Sequence, residues 1–222
     1  MFNPTAIGTY PEAVAPVTWP KIMCCGDSIT YGNGVTFGFG AYKQALADLI
    51  RTNKRFVPKA GTHFVGGMYN GYCSYPLCGY PGVSAATLNS SYLTTDIALL
   101  PTACLLHIGT NNIAAANPTA TIISQIGDCL NTIRAGAPTC RVFLAKLIDF
   151  QAYTSAVTDL NTAIDTMVSG RSDKDYITVV DQFSAVGPYG SGTYYRDDRH
   201  PNDAGNVLMA TAWYNAIAAI YT

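Results

Sequence analysis

The chain has 222 residues, of which 49% are hydrophobic and 12% charged, with a formal net charge of −1 at pH 7. This hydrophobic share excludes a disordered chain, and the length is sufficient for one well-filled core. A balanced charge without a Lys/Arg run offers no electrostatic surface to nucleic acid or to an anionic membrane, so we expect neither as a partner.

Residues 1–20 contain four prolines, no basic region and no apolar stretch of the length that a secretory signal needs. We therefore expect an extended N-terminal arm over 1–20, followed by a single domain over 21–222. Apolar runs elsewhere are shorter than the ~20 residues that span a bilayer, which favours a soluble protein. The sequence does not distinguish secretion from a cytoplasmic location, and it predicts no oligomeric state.

From residue 21 onward, short β-rich runs alternate with longer segments of helical periodicity, which predicts a parallel sheet with helices on both faces. Strands are predicted near residues 21–25, 62–65, 103–108, 141–148 and 176–180. Helices are predicted from about Ala41, from Pro118 with Asn117 as its N-cap, and from Pro201 to Ile220. The expected fold is α/β, a three-layer α/β/α sandwich around a five-stranded parallel sheet.

Ser28 is the first candidate for chemistry, in the run Gly26-Asp27-Ser28-Ile29-Thr30 directly after the first predicted strand. Ligands of parallel sheets bind at the carboxyl ends of the strands, where this serine is expected. A serine hydroxyl becomes a nucleophile when a base removes its proton, so a catalytic role requires a histidine. The alternative is an ordinary turn with Asp27 and Ser28 as turn formers.

Three histidines are candidates for that base. His63 and His107 lie inside predicted strands, where a structural histidine is the ordinary interpretation. His200 lies in a loop before the last helix, with Asp197 three residues ahead. This spacing lets one turn of chain place a carboxylate against the imidazole and stabilise the imidazolium. The alternative is that Asp197 and Asp198 only interact with the dipole of the last helix.

Two further positions fit donors to an oxyanion, which must point at the charge that develops on a carbonyl oxygen. Asn111 follows the third predicted strand, and Gly82 ends the long loop after the second. Each residue type alone is typical of turns. Their placement after successive strands, together with Ser28, favours a shared site.

Four sequence blocks, in order, resemble the conserved blocks of the SGNH (GDSL) hydrolases. They are GDSIT at 26–30, the glycine at 82, GTNN at 109–112 and DxxH at 197–200. The resemblance spans residues 21 to about 215 and implies a flavodoxin-like SGNH hydrolase fold. It also implies a serine esterase that needs neither cofactor nor metal.

By this resemblance Ser28 is the nucleophile and also an oxyanion donor through its backbone N–H. Gly82 and Asn111 would supply the other two donors of the oxyanion hole. Asp197 and His200 would complete the catalytic triad.

The chain departs from the family pattern at two places. Asn112 stands where the family usually has Asp, so the family pattern does not predict the hydrogen bonds of residue 112. The donor role of Asn111 is unaffected by this departure. Asp198 and Arg199 replace the small and apolar residues common between the Asp and His of the last block.

A narrower likeness concerns the substrate. Lys21-Ile22-Met23, Phe64-Val65-Gly66-Gly67 and Gly79-Tyr80-Pro81-Gly82 look like carbohydrate esterases of family three, which remove acetyl groups from xylan. Seven tyrosines fall in loops predicted to rim the site: Tyr69, Tyr72, Tyr75, Tyr80, Tyr189, Tyr194 and Tyr195. Their rings suit sugars, although tyrosine is also an ordinary loop-packing residue.

We therefore expect an esterase that hydrolyses small O-acyl esters, preferably acetyl, on carbohydrate through an acyl-enzyme intermediate, with a small molecule or a polysaccharide as the substrate. A lipid or aryl esterase of the same superfamily is the alternative enzyme. A non-catalytic carbohydrate-binding or phage-tail-type surface module is the alternative from another class, disfavoured because a binder has no need of all five site residues.

The seven cysteines are an odd number, so at least one thiol is free or paired between chains. Cys24, Cys25 and Cys104 lie in predicted core strands, where a thiol usually serves as a small hydrophobic group. Cys73 and Cys78 bracket a loop and could form a disulfide in an oxidising compartment. The absence of a CxxC pair gives a zinc site little support.

Overall fold

A computed structural model describes residues 19–33, 35–36, 40–52, 64–71, 75–190 and 193–221. Residues 1–18 of the expected N-terminal arm lie outside these ranges. His63, Tyr72 and Cys73 lie outside them as well. In the part of the chain that is described, no helix is long and apolar enough to cross a membrane.

The described residues form one parallel sheet. Its strands are β1 (Ile22–Gly26), β2 (Phe64–Val65), β3 (Cys78–Gly79), β4 (Ala103–His107), β5 (Arg141–Lys146) and β6 (Ile177–Asp181). The order across the sheet is β2-β1-β4-β5-β6, and β3 also pairs with β1. Because β2 lies opposite Ile22 and β3 opposite Cys25, these two short strands share one edge of β1.

Helices connect the strands. They are α1 (Ser28–Tyr31), α2 (Tyr42–Thr52), α3 (Ala85–Leu88), α4 (Thr94–Ile97), α5 (Thr110–Ala114), α6 (Thr119–Gly136), α7 (Thr154–Ser169), α8 (Gln182–Val186) and α9 (Asp203–Tyr221). A π-helical turn over Asn89–Leu93 joins α3 to α4, and a 3-10 helix over Lys174–Tyr176 precedes β6.

The helices cover both faces of the sheet. One hydrophobic core lies between the sheet and α3, α6 and α7, and the other between the sheet and α2 and α9. Along β1, Met23 and Cys25 belong to the first core, whereas Ile22 and Cys24 belong to the second. Burial on both faces explains why the strand is apolar throughout rather than alternating. The predicted α/β/α architecture is confirmed.

The short strand β3 is the difference from the five-strand prediction. Cys78 and Gly79 pair with Cys25 and Gly26, inside a segment that the sequence predicts as a loop. A strand of two residues is too short to show the alternation by which strands are predicted. Its pairing brings the following residues to the carboxyl edge of the sheet.

Two helices begin later than predicted. Pro118 has extended backbone angles and is the N-cap of α6, not its first residue. Pro201 forms an antiparallel bridge with Tyr195, which keeps it out of α9. The side chain of Asn202 accepts the N–H of Gly205 at 3.0 Å and so satisfies a first-turn donor of α9.

The described cysteines are buried thiols that form no disulfide with one another. They are Cys24, Cys25, Cys78, Cys104, Cys129 and Cys140. Burial raises the pKa of Cys78, of Cys129 and of Cys140, so these thiols stay protonated at neutral pH. Cys78 thus lies in the core as a small hydrophobic group, and its candidate partner Cys73 lies outside the described residues.

Candidate active site

The turn after β1 positions Ser28. At Gly26 a side chain has no room, since an added Cβ would lie 2.1 Å from the carbonyl oxygen of His107 on the neighbouring strand. Asp27 then caps α1, where its Oδ1 accepts the backbone N–H of Ile29 at 2.9 Å. Ser28 is therefore the first residue of α1, at the carboxyl edge of the sheet, and it is 8% exposed.

His200 lies in a narrow loop over residues 194–202. Two backbone hydrogen bonds of 2.9 Å close this loop, from the N–H of Asn202 to the carbonyl of Tyr194 and from the N–H of Arg196 to the carbonyl of His200. The loop brings the imidazole back toward α1. Ser28 Oγ lies 2.8 Å from His200 Nε2.

The carboxylate of Asp197 lies on the other side of the imidazole. His200 Nδ1 is 3.0 Å from each of its oxygens, and the backbone N–H groups of Arg199 and His200 donate to Oδ1 at 3.1 and 2.8 Å. Partial burial raises the pKa of the Asp197 carboxyl, but these hydrogen bonds outweigh it and lower the pKa. An ionised carboxylate can only accept, so Nδ1 carries a hydrogen, and in the uncharged imidazole Nε2 then accepts from the hydroxyl of Ser28.

The two neighbouring carboxylates have different partners. Asp198 pairs with Arg199 at 2.8 Å, and its side chain is 48% exposed. Asp197 contacts His200 and also the guanidinium of Arg196 at 2.7 Å. Asp197 is thus the carboxylate beside the imidazole, whereas sequence reasoning missed its contact with Arg196.

Gly82 occupies a tight turn at the same edge of the sheet. The N–H of Val83 donates to the carbonyl of Tyr80 at 3.3 Å, and Gly82 has φ of 80°. With Pro81 at the second position, these features indicate a type II turn, whose third position requires positive φ. Backbone conformation rather than space calls for glycine, because an added Cβ would meet no atom within 4 Å. The N–H of Tyr80 donates to the carbonyl of Gly26 at 2.9 Å, which holds the turn beside the serine.

Asn111 lies in the first turn of α5, directly after β4. Because His107 at the end of β4 is opposite Gly26 at the end of β1, Asn111 follows the strand beside that of the serine. Its Nδ2 donates to the carbonyl of Val83 at 2.9 Å. An amide nitrogen carries two N–H groups, so one is left for a ligand. The structure thus brings Asn111 against the residue that follows Gly82.

The remaining histidine of the described chain is structural. His107 on β4 is fully buried, and burial lowers its pKa to about 4, so it is uncharged at neutral pH. Over the described ranges, no three His, Cys, Asp or Glu side chains are grouped so that they could hold a metal ion.

The tyrosines of the predicted rim are divided between core and surface. The predicted position at the rim is wrong for Tyr75, which is 6% exposed and whose ring centroid lies 4.9 Å from that of Phe64 in the core. Tyr80 stacks on Tyr92 at 3.8 Å. Tyr69 is 67% exposed. Loop aromatics that fold back onto a core leave no signal in the sequence, which explains the error.

The model of the GDSL-like lipase/acylhydrolase family matches residues 24–208. The chain belongs to this family. It is accordingly a hydrolase that acts on esters, as the sequence blocks predicted. A search of curated protein sequences gives no significant match.

Solved structures share the fold of this acylhydrolase at low sequence identity. An acetyl esterase variant with acetate ion is 20% identical with a TM-score of 0.73, over 90% of this chain and 97% of that one. A carbohydrate esterase of family 3 from Talaromyces cellulolyticus is 21% identical with a TM-score of 0.71, over 90% and 97%. A family 3 carbohydrate esterase from Clostridium thermocellum is 20% identical with a TM-score of 0.69, over 92% and 100%.

Proposed function

We propose that this acylhydrolase is a serine esterase that removes small O-acyl groups, acetyl above all, from carbohydrate through an acyl-enzyme intermediate. The observation that carries the proposal is the hydrogen-bonded line from Ser28 through His200 to Asp197, with contacts of 2.8 and 3.0 Å. A hydroxyl bonded to the acceptor nitrogen of an oriented imidazole is the arrangement that activates a serine.

The proposed reaction has two halves. Ser28 Oγ attacks the ester carbonyl carbon while His200 Nε2 takes its proton, and Asp197 stabilises the imidazolium. The oxyanion accepts hydrogen bonds from the backbone N–H groups of Ser28 and Gly82 and from the side-chain amide of Asn111. When the tetrahedral intermediate collapses, the alcohol leaves with the proton from Nε2. Water then attacks the acyl-serine with His200 as base and releases the acid and free Ser28.

The carbohydrate part of the proposal is supported by the exposed ring of Tyr69, which belongs to a segment in contact with α1. Tyr69 adjoins Asn70, whose side-chain amide donates to the carbonyl of Tyr31 at the end of α1. This contact ties the Tyr69 segment to the helix that begins with Ser28. Rings with one open face and a polar tip suit sugar substrates. The named activities of the acetyl esterase and family 3 structures point the same way.

A substrate panel tests this proposal. We expect the p-nitrophenyl acetate ester to be hydrolysed faster than the butyrate and octanoate esters, and acetylated xylan to release acetate. Replacing Tyr69 with Ala should raise KM for acetylated xylan and leave the kinetics of p-nitrophenyl acetate nearly unaltered. Octanoate as the fastest ester would favour a lipid esterase, and no hydrolysis at all would favour a binding module.

The nucleophile has its own test. Ser28→Ala should lower kcat by about 10⁴-fold or more while the protein stays folded, because the hydroxyl itself forms the covalent bond. A fluorophosphonate should label Ser28 in the wild type, as read by peptide mass spectrometry. Ser91→Ala, at an exposed serine, is the matched control and should keep both activity and label. Labelling of another serine would redirect the assignment.

A further inference from the structure

Asn112 is a buried amide that joins three segments of the chain. It is 1% exposed. Its Oδ1 accepts the backbone N–H of Ala85 at 2.9 Å, and its Nδ2 donates to Asn117 Oδ1 at 3.1 Å and to Gln125 Oε1 at 2.8 Å. The Ala85 N–H can only donate, so the orientation of the Asn112 amide is fixed by the contact itself.

The contact with Ala85 satisfies a helix end. Ala85 is the first residue of α3, and the first N–H groups of a helix have no partner within the helix. Ser84 Oγ accepts the N–H of Thr87 at 3.1 Å, so Ser84 caps a different donor. Because Ala85 is fully buried, its N–H needs a protein acceptor, and Asn112 provides it.

Two adjacent side chains of α5 therefore hold one short segment. Asn111 binds the carbonyl of Val83, and Asn112 binds the N–H of Ala85. That segment directly follows Gly82. The position of the Gly82 N–H relative to the Asn111 amide is thus set by contacts of both asparagines with residues 83–85.

We propose that Asn112 is a positioning residue for the oxyanion hole. Its carboxamide fixes the Gly82 turn against α5, so that the N–H of Gly82 and the amide of Asn111 face one point before substrate arrives. Donors that are already in place need no reorganisation as the oxyanion forms, which is why their position affects kcat. This inference rests on the proposed esterase function, since it concerns the same reaction.

The partners of Asn112 explain how Asn fills a position that is usually Asp in the family. An Asp at 112 would still accept the Ala85 N–H, but its second oxygen would face the oxygens of Asn117 and Gln125. Both of those amides would have to turn over to donate. Asn112 instead satisfies all three neighbours with neutral groups, and no charge is buried.

The central test replaces Asn112 with Leu, of similar size but without an acceptor. We expect kcat for p-nitrophenyl acetate to fall by about 10- to 100-fold with KM changed less than about twofold, since the loss is confined to the transition state. The rate of Ser28 labelling by a fluorophosphonate should fall in parallel. Gln125→Ala is the matched control, because it removes a partner of Asn112 but not the Ala85 contact, and should lower kcat less than about threefold.

Two further variants check the contact from other sides. Asn112→Asp keeps the acceptor for Ala85 and should recover most of the kcat lost in Asn112→Leu. Ala85→Pro removes the donor instead of the acceptor, and proline suits the first position of a helix when the preceding residue is extended. Ser84 is extended, with ψ of 168°. This variant should reproduce the kcat defect in its folded fraction, and it provides a second measurement if Asn112→Leu does not fold.

The outcomes separate this inference from the function on which it rests. The kcat of each variant is normalised to its folded fraction, measured by near-UV circular dichroism. If kcat falls no further in Asn112→Leu or Ala85→Pro than in Gln125→Ala, the positioning role is overturned. A rise in KM at constant kcat overturns it as well. Both of these conclusions require that Ser28→Ala is inactive. Hydrolysis that persists in Ser28→Ala, or none in the wild type, overturns the proposed function and the inference with it.

Discussion

The two sides of the site are held together by different kinds of contact. On one side, Asp197 and His200 are three residues apart and are joined within a single loop. On the other side, the contacts of Asn111 with Val83 and of Asn112 with Ala85 span 28 and 27 residues of sequence. The proton-transfer side thus depends on local loop geometry, whereas the donor side depends on how α3 and α5 pack.

This difference predicts two kinds of defect. Changes on the side of His200 should act mainly through charge and tautomer, with little effect on packing. Changes on the side of Gly82 should act through the positions of N–H groups, so conservative replacements that keep the contact should restore function.

The largest difference is expected between the neighbouring carboxylates. Asp197→Asn should lower kcat/KM for p-nitrophenyl acetate by up to about 10⁴-fold, because an amide cannot stabilise imidazolium and favours the wrong tautomer. Asp198→Asn, whose carboxylate pairs with Arg199 instead, is the matched control and should cost far less. A larger loss in Asp198→Asn would mean that the carboxylate of the DxxH block is wrongly assigned.

The next effect concerns the donor side. Asn111→Ala should lower kcat by about 10²- to 10³-fold with a much smaller change in KM, because an oxyanion donor acts mainly in the transition state. Steady-state kinetics on p-nitrophenyl acetate measure both constants. If KM rises and kcat holds, Asn111 contacts the substrate in its ground state and is not an oxyanion donor.

The same division explains what the sequence could predict. Asp197 and His200 are three residues apart in one loop, and this spacing alone predicts their contact. Strands β4 and β5 are predictable because both faces are buried and their residues form continuous apolar runs. For these parts, the information lies within a few consecutive residues.

The rest depends on tertiary packing. Nothing near Ala85 in the sequence indicates that its N–H meets residue 112, and nothing near Tyr75 indicates that its ring enters the core. Strand β3 exists because β1 leaves an edge open beside Cys25, not because two residues have a strand pattern. Contacts of this kind are fixed by the whole fold, so the family resemblance suggested the donors while their support had to come from the structure.

A smaller effect is expected where Tyr80 holds the start of the Gly82 turn. Its hydroxyl donates to the carboxylate of Asp96 at 2.8 Å, and Asp96 is 2% exposed. Tyr80→Phe should lower kcat by about 3- to 10-fold and the free energy of unfolding by about 1–3 kcal/mol, because a buried acceptor loses its donor. Tyr92→Phe, in the ring stacked on Tyr80, is the control. Equal defects in both variants would mean that the hydrogen bond from Tyr80 to Asp96 is not the cause.

The smallest effect on turnover is expected at Asp27, where the change should appear in stability as a function of pH. Burial raises the pKa of this carboxyl to about 7, although the N–H of Ile29 opposes the shift. The folded chain therefore holds a proton that the unfolded chain releases near pH 4, so the contribution of this carboxyl to stability falls as pH rises from about 4 to about 7. Buried His107, whose pKa is lowered to about 4, acts in the opposite direction, but equally in the wild type and the variant. The amide introduced by Asp27→Asn does not titrate, so the variant should gain stability relative to the wild type across that range, by up to about 1.4 kcal/mol per pH unit. Urea denaturation at pH 4, 5.5 and 7.5 measures the difference. A gap between the two proteins that stays constant or narrows toward pH 7.5 would show that the buried carboxyl is ionised throughout.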